Sequence, residues 1–244
     1  MVKKHKNVKI VILSIVIMLL LPSTLTPHAK ENINDTSTNS HWTAMYYLCG
    51  DNKMSASQQQ HLNLIKSVGS TSEVSIAILV DYDGADDTHL YYLNGNDLEE
   101  QQWEIESDMS NPDTLQDFIN KVKNDLSSEQ YFLQISSNQG SGWQGVCLDE
   151  RGDGTMITMP ELSDVFSDVT QQGSSKLDIV AVETCLGGNL AFAYELSSYV
   201  ETYVGYADCG LIGAWPFQQS IAALVDNPSI SPADLSSAIV DNFT

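Results

Sequence analysis

The sequence predicts an α/β domain with a mostly parallel, twisted sheet that carries helices on both faces. Short apolar runs bounded by turn residues alternate along the chain with helix-like segments. This alternation is typical of parallel strands joined by crossover helices. A chain of 244 residues with 42% apolar content can bury one large core. We therefore expect one globular domain over residues 41–244.

The predicted strands are short and rich in β-branched or aromatic residues, as buried strands are. They cover residues 42–48, 74–81, 131–136, 178–183 and 202–207. A further segment, residues 89–105, holds the turn Asn94-Gly95-Asn96 between apolar runs, which predicts an inserted hairpin.

Helical segments lie between these strands. They cover residues 55–68, 114–126, 160–170, 189–200 and 232–243. Pro112-Asp113 and Pro160-Glu161 place a proline and an acid near helix starts, where both are favoured. The last helix has no strand after it, so we expect the domain to lack carboxyl-terminal elements that longer relatives have.

The first thirty residues have the layout of a signal sequence. Four lysines within residues 3–9 precede the apolar run 10–21, which Pro22 ends. The run is shorter than the roughly 20 residues that a membrane span needs. An uncleaved amino-terminal anchor stays open as an alternative, because Pro27 stands where a cleavage site before residue 30 wants a small residue. Residues 31–40 form a polar linker. We expect a secreted or envelope-associated protein that contacts membrane only if this segment is retained.

The remainder of the chain is strongly acidic. Residues 1–30 hold five of the eleven basic residues and no acid, so residues 31–244 have six basic and 32 acidic residues, a net formal charge of −26. Such a surface repels nucleic acid and anionic lipid and favours cationic partners. Arg151 is the single arginine, so a basic patch for phosphate is excluded.

Four cysteines, at positions 49, 147, 185 and 209, could form two disulfides in an exported protein. Three connectivities are open, and the sequence does not choose among them. A disulfide through Cys185 would remove that thiol from any nucleophilic role.

Two predicted strand ends carry groups suited to chemistry. Residues 134–143 run from a strand into a loop with Gly140 and Gly142, and residues 178–188 bring Cys185 to a diglycine turn before a helix. Reactive groups gather at the carboxyl ends of strands in open α/β sheets. Backbone N–H groups at such a turn can hold an oxyanion. Cys185 is therefore a candidate nucleophile.

At these two strand ends the sequence resembles the clostripain family of cysteine peptidases, relatives of caspases, legumains and gingipains. The family typically has Asp-His-Gly-Ser-Gly-Trp and Asp-Ala-Cys-Leu-x-Gly. This chain has Asn-Gln-Gly-Ser-Gly-Trp at 138–143 and Glu-Thr-Cys-Leu-Gly-Gly at 183–188. Supporting similarities lie at residues 42–52, 108–119, 145–150, 162–164 and 214–217. The resemblance, over residues 41–217, implies a three-layer caspase-like fold with strand order 2-1-3-4-5.

The resemblance also assigns roles. Cys185 corresponds to the nucleophile, Gln139 stands where the family has its catalytic histidine, and Gly140 corresponds to the oxyanion site. An amide cannot take up a proton near neutral pH. Loss of a general base costs about 10²–10⁴-fold in rate or more. The sequence therefore predicts an impaired peptidase, unless His41, His61 or His89 supplies another base.

Cleavage after arginine or lysine is the specificity that the resemblance implies, with acidic residues in the substrate pocket. Glu183 takes the place of the family's aspartate, and Asp208 follows the next predicted strand. The alternative is that both are ordinary acids at strand ends. Arg151 is the candidate processing site between the two motifs.

The resemblance implies calcium as a cofactor, and no other cofactor is indicated. The acidic loop 81–87 is a candidate cation site, with a plain solvated loop as the alternative. Asp149, Asp153 and Gly154 hint at an EF-hand, but Arg151 and Pro160 occupy ligand positions, so we reject that motif.

Three functions remain open at this point: an exported pseudopeptidase that binds basic peptide segments, an active endopeptidase with another base, and an acidic interaction module of the cell envelope. Gln139 separates the first two.

Overall fold

The computed structural model describes residues 40–137, 144–152, 154–209 and 214–243. Its strands are β1 (Ser40–Cys49), β2 (Val74–Asp81), β3 (His89–Asn94), β4 (Asp97–Gln101), β5 (Ser128–Ser136), β6 (Gly145–Val146), β7 (Ile157–Thr158), β8 (Leu177–Glu183) and β9 (Val200–Gly205). Its helices are α1 (Ser55–Val68), α2 (Pro112–Asp125), α3 (Met159–Val169), α4 (Leu190–Leu196), α5 (Phe217–Asp226) and α6 (Pro232–Asp241). The predicted signal sequence and most of the linker lie outside the described residues.

One sheet of seven strands organises the domain, in the order β4-β3-β2-β1-β5-β8-β9. The pairs β1–β2, β1–β5, β5–β8 and β8–β9 are parallel, whereas β2–β3 and β3–β4 are antiparallel. The five predicted strands therefore lie in the predicted order, 2-1-3-4-5. The predicted hairpin is β3–β4, and it extends the sheet at the β2 edge.

Side chains of each strand alternate between two cores, as the pleat of a strand requires. In β1, Ala44 and Tyr46 pack with α1, α5 and α6, whereas Met45 and Tyr47 pack with α2, α3 and α4. The sheet thus forms the middle of three layers. The predicted fold class, an α/β domain with helices on both faces, is confirmed.

The starts of α2 and α3 follow from local sequence. The Asn111 side chain accepts a hydrogen bond from the Asp113 N–H at 3.0 Å, with Pro112 as the first helical residue. Thr158 and Glu161 form a reciprocal capping box at α3, with Pro160 in its first turn. Both starts agree with the proline and acid signals of the sequence.

Two elements of the sequence analysis were placed wrongly, and one helix was missed. The predicted helix 189–200 ends at Leu196, because Val200 is needed in β9 to pair with Leu177 of β8. The predicted strand 202–207 accordingly begins and ends two residues earlier. Helix α5 had no prediction, although Phe217, Ile221 and Leu224 are spaced on one buried face. None of the described helices is long and apolar enough to cross a membrane.

Candidate active site

Cys185 lies in the turn that joins β8 to α4. Its side chain is partly exposed, and the neighbouring Leu186 has a left-handed backbone with φ of 59°. The Asn189 side chain accepts hydrogen bonds from the N–H groups of Ala191 and Phe192, which starts α4 five residues after Cys185. The chain therefore reverses sharply at Cys185 and leaves the thiol at the carboxyl edge of the sheet.

The segment after β9 fixes this turn. The Leu186 N–H donates to the Asp208 carbonyl at 3.0 Å, and the Gly188 N–H donates to the Tyr206 carbonyl. A Cβ atom on Gly188 would lie 2.6 Å from the Gly205 carbonyl oxygen, so only glycine fits at this approach. The Cys185 turn and the residues after β9 thus lie side by side.

The strand before Gln139 is adjacent to the strand before Cys185, as predicted. Ser136 of β5 pairs with Glu183 of β8, and the Ser137 N–H donates to the Glu183 carbonyl at 3.1 Å. Gln139 and Gly140 belong to residues 138–143, outside the described residues, so their assigned roles stay predictions.

Glu183 is buried beneath the Cys185 turn, with 2% of its side chain exposed. Its Oε2 accepts a hydrogen bond from the Ser136 hydroxyl at 2.6 Å, and its Oε1 has no partner among the described residues. Burial raises the pKa of Glu183 to about 7, although the Ser136 hydrogen bond acts in the opposite direction. Asp208, the other predicted pocket acid, is exposed beside the turn.

A small cavity of about 200 Å³ lies at the end of β9, beside α6. Tyr206 and Trp215 line it with residues of α6, and their rings are 5.9 Å apart. Among the described residues, neither the Tyr206 hydroxyl nor the Trp215 indole N–H has a hydrogen-bond partner. The negative charge of Glu183 contributes to raising the pKa of Tyr206 to about 12, after burial, so the two groups are electrostatic neighbours.

His61 is the described histidine that comes near this site. The Gln58 amide donates its Nε2 hydrogens to the carbonyls of Cys49 and Ser136, so Gln58 Oε1 is the acceptor that faces His61 Nδ1 at 3.1 Å. Nδ1 therefore carries the ring proton. The same Nδ1 lies 3.9 Å from Glu183 Oε2.

The His61 ring is a poor base in this position. It is 2% exposed and stacks on Phe217 with ring centroids 4.1 Å apart. Burial lowers the pKa of His61 to about 4. The imidazole is therefore neutral at physiological pH and disfavours the proton that a general base must accept.

The two other described histidines lie far from the thiol. His41 is near the start of β1, where it pairs with Glu129 at 3.0 Å, about 25 Å along the strand from the carboxyl edge. His89 pairs with Glu100 at 2.8 Å on β3. Four strand spacings separate β3 from β8, or about 19 Å.

Three aspartates meet at the carboxyl ends of β1 and β2. Asp51, Asp81 and Asp149 are all buried, and one carboxylate oxygen of each lies within 4.8 Å of the others. The Oδ2 atoms of Asp51 and Asp81 have no partner among the described residues. Burial, with the neighbouring negative charges, raises the pKa of Asp81 to about 8 and that of Asp51 to about 6. We call these residues the aspartate triad.

Arg151 is tied to this triad. Its Nε lies 3.4 Å from Asp51 Oδ1, its Nη2 donates to the Asp83 carbonyl, and its backbone N–H donates to Asp149 Oδ1 at 3.0 Å. The guanidinium partly neutralises three clustered acids. Processing after Arg151 stays a prediction, and it would require these contacts to break.

The cysteines sort into two pairs. The Sγ atoms of Cys49 and Cys147 are 2.6 Å apart in the core, and the Cys209 thiol is a hydrogen-bond neighbour of Cys185. All four are free thiols in the structure, and their neighbours correspond to one of the three connectivities left open by the sequence.

Sequence reasoning placed one member of the aspartate triad, Asp81, in the candidate cation loop 81–87, but it did not bring Asp51 and Asp149 to Asp81. It also missed the cluster of Gln58, His61, Ser136 and Glu183. Both join residues from elements distant in the chain, so no local spacing reveals them. One weak signal for the triad existed, because Asp51 and Asp81 each follow an apolar run at a predicted strand end.

Known proteins similar to this chain agree with the fold and with the family resemblance. The model of the clostripain family matches residues 46–244. Clostripain of Hathewaya histolytica is 26% identical over 205 residues, which cover 68% of this chain and 37% of that protein. This chain thus spans well under half of that relative's length.

Solved structures point the same way. An inactive zymogen C11 protease from Parabacteroides distasonis has a TM-score of 0.67 at 17% identity, over 84% of this chain and 58% of that one. A secreted C11 cysteine protease from Bacteroides thetaiotaomicron, in complex with an irreversible peptide inhibitor, has a TM-score of 0.68 at 17% identity, with the same coverage. With the Cys185 strand end, the sheet order and the family match together, the chain belongs to the clostripain family of cysteine peptidases.

Proposed function

We propose that this protein is an exported, catalytically impaired clostripain-like domain that binds basic peptide segments without cutting them efficiently. The observation that carries the proposal is the placement of the described histidines, to which the resemblance adds Gln139 in the family's histidine position. His41 and His89 are far from Cys185, and His61 is buried with a lowered pKa. Without an imidazole beside it, the Cys185 thiol has no base to deprotonate it. The leaving amine then has no acid to protonate it.

Recognition of a basic side chain is supported by Glu183 and its surroundings. Glu183 Oε1 and the Tyr206 hydroxyl are acceptors without partners among the described residues. The aromatic faces of Tyr206 and Trp215 suit a guanidinium, which stacks on such rings. Asp208 is exposed beside the same turn and adds a second negative charge. A cationic side chain would satisfy groups that are otherwise buried at a cost.

Calcium, implied by the family resemblance, fits the aspartate triad. Carboxylate oxygens are the ligands that hard divalent cations prefer. Asp51 and Asp81 each keep one buried oxygen without a partner among the described residues, and the three carboxylates lie close together. A bound cation would neutralise the triad, and Arg151 would then lose its electrostatic reason to remain at Asp51.

Export is supported by the amino-terminal sequence pattern, and one similar solved structure is described as a secreted protease. The strongly acidic composition agrees with a cationic ligand.

Binding and cleavage are tested together with a short peptide that contains one arginine and a matched peptide with glutamine in its place. The full chain, reduced and supplied with calcium, should bind the arginine peptide at least about tenfold more tightly, or about 1.4 kcal/mol. The peptide should remain intact. Glu183→Gln and Asp208→Asn should each reduce this preference, whereas Asp97→Asn on the exposed β4 strand should not.

Equal affinity for both peptides would reject the basic pocket and favour the acidic interaction module. Robust cleavage that Cys185→Ala abolishes would instead identify an active endopeptidase with another base.

A further inference from the structure

Cys185 and Cys209 belong to two segments that run side by side. The residues next to them in sequence, Leu186 and Asp208, are joined by a backbone hydrogen bond of 3.0 Å. A second bond joins Gly188 to Tyr206, and close backbone contact between Gly188 and Gly205 holds the segments together. The two cysteines are therefore kept adjacent by backbone structure rather than by chance side-chain rotation.

The two thiols also meet. The Cys185 thiol is the hydrogen-bond neighbour of the Cys209 thiol, and this contact raises the pKa of Cys209 above its ordinary value of 9.0. Cys209 is exposed and Cys185 is partly exposed, so small solutes reach both. Access of this kind distinguishes reactive thiols from structural ones.

The other cysteine pair provides an internal comparison. Cys49 and Cys147 have Sγ atoms 2.6 Å apart, but both are fully buried between β1 and the segment after β6. Burial raises the pKa of Cys49 well above its ordinary value. Small thiols and disulfides should therefore reach this pair far more slowly than the exposed one.

We propose that Cys185 and Cys209 form a reversible disulfide that switches off the nucleophile position. A small-molecule disulfide, such as oxidised glutathione, is the oxidant. One protein thiolate attacks a sulfur of this molecule and forms a mixed disulfide, and one small thiol leaves. The second protein thiolate attacks the protein-bound sulfur, and the second small thiol leaves. Two protein thiols are oxidised while one small disulfide is reduced to two thiols, and an excess of small thiol reverses the exchange.

The consequence of this disulfide rests on the proposed function, because it would deny substrate or ligand the Cys185 sulfur. Its formation does not depend on catalysis, so the two proposals can fail separately. An exported protein meets oxidising surroundings, where such a bond persists until thiol is supplied.

The full chain is incubated in glutathione buffers from reducing to oxidising, quenched in acid, alkylated and digested with a glutamyl endopeptidase. Glu195 and Glu201 lie between the two cysteines, so cleavage there separates them unless they are crosslinked. Mass spectrometry of the unreduced digest should show a linked Cys185–Cys209 peptide in oxidising buffer. A brief dithiothreitol treatment should reduce its amount at least about tenfold, and that of a Cys49–Cys147 peptide less.

Cys209→Ser should trap glutathione on Cys185, because the thiol that displaces it is gone. Cys147→Ser is the matched control and should leave the Cys185–Cys209 link unchanged. The proposal is overturned if the parent gives only the glutathione adduct of Cys185, as the Cys209→Ser variant does. It is also overturned if Cys185 stays fully alkylatable in oxidising buffer.

Discussion

At Glu183, burial raises the pKa of the carboxyl group and a hydrogen bond lowers it, and the effect of burial is the larger. Its pKa rises from an ordinary 4.5 to about 7, so the folded protein holds a proton that the unfolded chain releases between these values. The free energy of unfolding therefore falls as pH rises through this window. A basic ligand would reverse the effect, because a positive neighbour favours the charged carboxylate.

Glu183→Gln removes this titration. Between pH 4.5 and pH 8, the unfolding free energy of the variant should rise by about 2 kcal/mol relative to that of the parent. This value is smaller than the full pKa shift of Glu183 would give. Urea unfolding at several pH values measures it. The control is Glu201→Gln, an exposed position on β9 that should change little at any pH. A parent and a Glu183→Gln variant with parallel pH profiles would contradict the burial argument.

Single residues were predictable from sequence where a motif placed them at a strand end. Cys185 at the end of β8 is the clearest case, because the apolar strand, the thiol and the diglycine turn follow one another directly. His61 was the opposite case. It lies in the middle of α1, and only the packing of α1 and α5 on the sheet brings it to Glu183 and Phe217.

At the scale of the elements, the turn between β8 and α4 requires a glycine at position 188. Gly188 approaches the backbone of Gly205 and Tyr206, which holds the Cys185 turn against the residues after β9. Because the approach joins two segments 17 residues apart, the sequence showed a diglycine turn but not its partner.

Gly188→Ala should separate these segments. The added Cβ would meet backbone atoms at 2.6 Å, and backbone cannot move aside as a flexible side chain can. We expect a loss of about 2 kcal/mol or more in unfolding free energy, together with slower formation of the Cys185–Cys209 link. Gly95→Ala is the control: Gly95 has φ of 58° and open space around it, so its cost is the backbone strain alone, about 1 kcal/mol. Equal losses in both variants would refute the close-approach argument.

The other helices and the strands of the large sheet lie close to their predicted positions, and α5 is the helix that the sequence analysis did not predict. The buried face of α5, from Phe217 to Leu224, was visible in the sequence but was not assigned. The early start of β9 could not be predicted, because pairing with β8 sets it rather than local propensity.

At the scale of the whole molecule, a chain with a large net negative charge also buries the three carboxyl groups of the aspartate triad. Ordinary aspartate pKa values of 3.8 rise to about 8 at Asp81 and about 6 at Asp51. Without a cation, both groups make the free energy of unfolding fall as pH rises from about 4 to about 8.

Calcium should therefore raise the melting temperature, and more at pH 8 than at pH 5. Asp81→Asn should lose most of this calcium response. In chelator at pH 8, its free energy of unfolding should exceed that of the parent by about 1–2 kcal/mol. Differential scanning calorimetry in calcium chloride and in sodium chloride of equal ionic strength measures both effects, with Asp97→Asn as the exposed control. Identical melting temperatures in the two salts would exclude a cation at the triad.

The central claim is that one residue, Gln139, disables the site proposed around Cys185, and Gln139→His tests it most directly. The assay measures cleavage of fluorogenic arginine and lysine substrates by the reduced full chain with calcium. We predict no measurable cleavage by the parent, cleavage by Gln139→His, and none by Gln144→His or by Gln139→His combined with Cys185→Ala. Robust cleavage by the unmodified protein, lost in Cys185→Ala, would contradict the account.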